Sequence, residues 1–158
     1  MVRMKNFRGF TRHNAGFTLI EILIVIGIIA ILASIVIVAI NPAKQFAQAR
    51  NTERESDVST ILNAIGQNIA DNKGTFTCAN VTIATAPATS TIGTAGADLS
   101  SCLVPTYIPQ QIPVDPSGGT DANTGYTVSV DSLARYTVCA PKHTEPAVPG
   151  SAAYCLTR

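Results

Sequence analysis

The sequence predicts an α+β chain in which a long N-terminal helix, membrane-spanning at first and amphipathic after, packs on a small antiparallel β-sheet headpiece. Three observations carry this. Residues 17–40 form an apolar run of 24 residues with one charge in it, Glu21. Val58, Ile61, Leu62, Ile65 and Ile69 then recur at spacings of three and four, the period of one helix face. Further on, YTVSV at 126–130 and RYTVCA at 135–140 alternate apolar with polar residues, the period of a half-buried strand.

The apolar run comes first in the chain and sets its topology. Residues 22–40 alone would rise roughly 28 Å as a helix, close to the roughly 30 Å of a bilayer hydrocarbon core. Before it lie residues 1–16, a short leader with Arg3, Lys5, Arg8 and Arg12 and no acidic residue. The positive-inside bias holds such a leader in the cytoplasm and sends the rest of the chain outward. A secretory cleavage site fits poorly, because the apolar region is too long and its small residues Ala30, Ala33 and Ser34 lie inside it.

At the junction of leader and apolar run stands Gly16, followed by Phe17, in the sequence GFTLIE. This motif resembles the processing site of type IV prepilins and type II secretion pseudopilins. The resemblance implies cleavage between Gly16 and Phe17 by a prepilin peptidase on the cytoplasmic side, N-methylation of Phe17, and an assembly role for Glu21 at the fifth mature position. It implies a pilin-like fold, an inner-membrane assembly platform as partner, and polymerisation with other copies or related pilins. In place of that, an ordinary signal anchor would carry its glutamate by chance. Members of the family have a proline inside this helix, usually nearer the N-terminus than Pro42.

Composition narrows the rest. About 100 of the 158 residues remain outside the leader and membrane helix, enough for one small domain and too few for a large catalytic core. The leader takes four of the 11 Lys and Arg, leaving seven against ten acidic residues, a net charge of −3. Nothing basic is left to hold nucleic acid. With no Trp and few aromatics, the outer domain is expected to have a thin core and a flexible, Thr/Ala-rich stretch at 87–97.

Cys78, Cys102, Cys139 and Cys155 all fall on the outward side, where disulfides persist, and none has C-x-x-C spacing. They read as two structural disulfides. Three pairings are possible, and neighbour pairing, Cys78 with Cys102 and Cys139 with Cys155, closes the shorter loops and is favoured.

In chain order the expected segments are a leader at 1–16, a transmembrane or filament-core helix at 17–41, an amphipathic helix at 42–74 and a disulfide-bonded headpiece at 75–158. Asn41-Pro42 should break the long helix, since proline disfavours helical geometry in the residue before it. Arg50 with Glu53, and Arg54 with Asp57, stand three apart and read as a solvated face or a contact with a neighbouring subunit. Gly74 suits a left-handed C-terminal cap. A strand is expected within 76–84, a hairpin across 131–134, and a third strand near 152–156.

No hydrolytic constellation is visible. His13 goes with the leader, so His143 is the one histidine of the mature chain, and its Pro-rich surroundings read as an exposed loop. The expected protein is therefore not an enzyme and takes no cofactor. One weak metal candidate exists: Asp115, Asp121 and Asn123 lie on a glycine-rich loop whose oxygen atoms are of the kind calcium requires. That loop loosely resembles the calcium loop of some major pseudopilins, but a turn rich in Asx caps accounts for it as well. Two functions compete: a structural subunit of a type IV pilus or type II secretion pseudopilus, and a membrane-anchored extracytoplasmic binding domain that never polymerises. Glu21 discriminates them, because a monomeric anchor has no evident use for a carboxylate there.

Overall fold

The computed structural model describes residues 16–158. The leader arginines, Lys5 and His13 therefore lie outside the described residues. Two compact units divide the chain at Asn41.

The first unit contributes α1 (Leu19–Ile40), 22 residues with none buried. Thr18 caps it in extended geometry, its side-chain oxygen accepting the Glu21 N–H at 3.2 Å. The Ser34 hydroxyl donates to the Ile31 carbonyl at 2.7 Å, so that polar group is satisfied within the helix. Asn41 ends α1 in the left-handed region, with φ 47°. Asparagine tolerates that conformation, and Pro42 behind it disfavours the helical alternative.

The second unit begins with α2 (Pro42–Asp71), 30 residues long, with proline at its first position. Its buried face includes Ala47, Asn51, Arg54, Val58, Ile61, Leu62, Ile65 and Asn68, a stripe at spacings of three and four that extends past its apolar portion into polar sequence. The helix closes with the Gly74 N–H on the Ile69 carbonyl at 2.8 Å, the six-to-one bond of a Schellman cap. Lys73, at φ 59°, takes the first left-handed position and Gly74, at φ 90°, follows it, one residue off the expected arrangement.

Four strands form one antiparallel sheet in the order β1 (Ser90–Thr91), β2 (Thr127–Val130), β3 (Tyr136–Ala140), β4 (Tyr154–Thr157). The turn between β2 and β3 covers residues 131–135. Val128, Val138 and Ala140 lie on one face with Tyr126 and are fully buried with the apolar stripe of α2. On the opposite face Thr127, Cys139 and Cys155 share one cross-strand row. The Cys139–Cys155 disulfide thus joins directly opposed residues of β3 and β4, and Cys78–Cys102 ties the segment after α2 to a short helix, α3 (Ser100–Leu103).

Two expectations fail here. Residues 76–84 are irregular, and Thr85, just beyond them, makes an isolated parallel bridge to Val130. Residues 87–97 are no loose loop: they contain β1 and bury Ile92 and Ala97, and the region just beyond adds Leu99, Leu103 and Ile108 to the core. Single apolar residues among Thr, Ser, Gly and Pro have no period to betray them, so the core is fuller than its scarcity of aromatics suggested.

Candidate functional site

The first candidate is the start of α1. Phe17 is exposed, and Glu21 is the third residue of the helix. Thr18 and Glu21 have the T-x-x-E spacing of a capping box, of which the Thr18 half is made. That spacing was readable in the sequence; the bond that is made uses the Glu21 backbone N–H, not its carboxylate. Beyond it, every large apolar side chain of α1 is roughly half exposed or more, from Val25 at 46 % to Val38 at 83 %. Water is the wrong solvent for such a surface; by length and composition α1 is a candidate membrane span.

The second candidate lies inside the headpiece unit and reverses a sequence expectation. Arg54 does not lie on a solvated face paired with Asp57; its side chain is 1 % exposed. All five guanidinium N–H groups are used. Nε donates to Asp115 Oδ2 at 2.7 Å, and Nη2 to Asp115 Oδ1 at 3.4 Å and to Ser117 Oγ at 2.7 Å. Nη1 donates to Asn51 Oδ1 at 2.8 Å and to Glu145 Oε1 at 2.7 Å. Arg50 likewise leaves Glu53 and grips Glu145 in a fork, at 2.7 and 2.8 Å. Asp57 instead accepts the hydroxyl of buried Tyr126 at 2.6 Å.

The electrostatics follow from these contacts. Hydrogen bonds from Arg50 and Arg54 hold Glu145 down to a pKa of about 2. Burial pushes Asp115 upward, but the Arg54 side chain, the Ser117 N–H and the charges of Arg54 and Lys142 outweigh it, so Asp115 also sits below its ordinary range. Asp57 moves the other way, raised chiefly by burial. Tyr126 is raised too, first by burial and then by its hydrogen bond to Asp57.

This arrangement explains the glycine-rich loop. Gly125 stands at φ 85°, where a Cβ would come within 2.7 Å of Asp115 Cβ, so the chain closes around that carboxylate only with glycine there. Asp115 spends its oxygens on Arg54 and the Ser117 N–H, while Asn123 Oδ1 accepts the Gly125 N–H at 3.0 Å and Asp121 is exposed. The three calcium candidates thus form no common cage, and among the described residues no group of three His, Cys, Asp or Glu side chains is placed for a metal. His143 is tied down rather than loose, with Nδ1 2.8 Å from the Ala152 carbonyl and Nε2 3.1 Å from Glu55. Its partners are acceptors, not a nucleophile it could activate.

The cluster joins α2 to the loops around 115 and 145 and is fully satisfied, so it has no capacity left for chemistry. It holds the headpiece together. The surface unsatisfied in water is α1, and there a comparison with known protein families finds a match: residues 12–37 fit the prokaryotic N-terminal methylation motif. No curated protein and no solved structure matches the chain. The matched segment contains Gly16, Phe17 and Glu21 and most of α1, and it supports a type IV pilin- or pseudopilin-like precursor.

Proposed function

We propose that this chain is a structural subunit of a type IV pilus or a type II secretion pseudopilus. Its leader, residues 1–16, is removed by prepilin peptidase, and the new amine on Phe17 is methylated. The subunit waits in the inner membrane with its N-terminus in the cytoplasm and its headpiece, residues 75–158, on the other side. An assembly platform then draws it into a helical filament, where apolar helices of neighbouring copies cover one another. It is not an enzyme on this reading. The observation that carries it is an apolar helix exposed along its whole length, with one carboxylate in its first turn, inside a methylation motif.

Glu21 has a physical part in this. A carboxylate inside an apolar helix costs on the order of 2.5 to 3.5 kcal/mol at the bilayer centre and less near the interface. Four residues from the cleaved end, it can reach the headgroups in a single subunit. Among packed helices water is excluded and its charge needs a cation. The Phe17 amine of a neighbour displaced along the axis supplies one, and the pairing fixes the axial register as copies add.

Electron microscopy of sheared surface or periplasmic filaments, with mass spectrometry of their protein, tests the proposal. Filaments whose subunit begins at methylated Phe17 are the expected result. A mature protein beginning elsewhere, or one found only as a membrane monomer, would favour the anchored binding domain.

A further inference from the structure

One exposed segment of the headpiece unit remains unused. After α2 the chain runs through Asn80-Val81-Thr82, the one Asn-x-Ser/Thr triplet without proline in the whole sequence. That triplet is the acceptor pattern for N-linked sugars, which need a surface position because a glycan is bulky and strongly hydrated.

The structure supplies such a position. Asn80 lies in a turn at φ 60°, a left-handed conformation that asparagine tolerates, and it is exposed, as is Thr82. Val81 between them is half-buried and packs against the hydrophobic core. Alternation about Val81 therefore turns the Asn80 amide and the Thr82 hydroxyl outward together. Among the described residues neither of these two side chains has a hydrogen-bond partner, whereas Asn51, Asn63, Asn68, Asn72 and Asn123 all use theirs within the fold. The segment is nonetheless well anchored. Cys78 is bridged to Cys102, and Thr77 is held through its N–H and carbonyl by the Asn68 side chain, at 2.9 and 3.2 Å. An added sugar at Asn80 thus breaks no contact and disturbs no core.

Asn68 also fixes where the triplet lies. Roughly 39 Å of α2 separates Asn68 from Pro42, so Asn80, three residues after Thr77, belongs to the end of the headpiece unit remote from the start of α2. A hydrated glycan there stays clear of the α2 start.

We propose that Asn80 is an N-glycosylation site, modified on the extracytoplasmic side from an oligosaccharide carried on a lipid pyrophosphate. In the transfer the Asn80 Nδ2 bonds to the anomeric carbon as the bond from that carbon to the pyrophosphate oxygen breaks. The nitrogen gives up one proton, and the lipid pyrophosphate leaves with the electron pair. The proposal rests on the outward placement of the headpiece given under the proposed function. Mass spectrometry of the full chain, purified from the cells that make it, tests both. Trypsin releases residues 74–135 as one peptide that holds Asn80 and the Cys78–Cys102 bridge. Fragmentation of that peptide should place a sugar mass on Asn80. Asn80→Asp, which keeps the shape and tolerates the same φ, and Thr82→Ala should each abolish it, while Thr82→Ser keeps it. A bare peptide with its disulfide formed overturns the glycan and leaves the outward placement standing. A bare peptide with both thiols reduced overturns the two together. Sugar found on a Ser or Thr instead, or persisting on Asn80 in Thr82→Ala, overturns the assignment.

Discussion

The helix α1 and the ionic cluster under α2 invert each other's chemistry. In α1 the apolar side chains are outside and none is buried, and the single charge, Glu21, sits in the first turn. In the headpiece unit a full guanidinium is inside, 1 % exposed, with every donor matched to an acceptor of the same chain. Burial follows satisfaction rather than polarity. Arg54 can be buried because Asp115, Ser117, Asn51 and Glu145 replace water around it, whereas among the described residues nothing buries α1, which by length and composition is a candidate membrane span.

The largest expected effect breaks α1 alone. Glu21→Gln keeps size and removes charge, and should leave a cleaved, membrane-inserted protein that forms few or no filaments, counted by microscopy with the wild-type copy absent. A soluble fragment of residues 43–158 lacks that position, so its melting is the control for headpiece integrity. Normal filament numbers would reduce Glu21 to a partner of its own helix cap.

The complementary break is Arg54→Met, which leaves the buried Asp115 carboxylate with only the half-exposed Lys142 ammonium, 3.7 Å away. Removing one partner of a buried pair costs about 3–5 kcal/mol, and urea denaturation of the 43–158 fragment should show that loss. Adding Asp115→Asn should recover part of it, because the poorly compensated buried charge is gone. A variant as stable as wild type would mean that water reaches Asp115 and the cluster is not closed.

Next in size come the disulfides, which close sequence separations of 24 and 16 residues. Each should contribute about 3 kcal/mol in the chain-entropy picture. Reductant should therefore lower the melting temperature of the same fragment, while a fragment that melts identically in both conditions would place its stability in core and cluster alone.

The smallest effect is the acid response. Glu145 and Asp115 are held below their ordinary ranges in the folded state, so they stabilise it when ionised. For Glu145 that stabilisation is complete above its ordinary 4.5 and is lost as pH falls toward about 2. Asp57, raised, works in the opposite direction and blunts the slope. Denaturation followed from pH 6 to 2 should show stability falling with acid, and Glu145→Gln should flatten the curve.

What the sequence made legible was local. The apolar helix, the stripe from Val58 onward and the β2–β3 hairpin each repeat a signal over a few residues, and the structure has all three. The Arg54 cluster was illegible because its carboxylates lie 61 and 91 residues away, and a charged residue among charged neighbours reads as surface. One signal pointed to it. Continuing the stripe backwards from Val58 by four, three and four lands on Arg54, Asn51 and Ala47, all buried. The glycines around Asp115 were visible too, but close packing against a carboxylate and a metal loop demand the same residues.

The loop between β3 and β4 is fastened at several points: by Glu145 to two arginines, by His143 to Glu55, and by the Cys139–Cys155 bridge at its base. Between those fastenings Thr144, Pro146, Pro149 and Gly150 face solvent. A segment anchored so firmly is free to diversify. Its exposed positions can be exchanged without touching those fastenings.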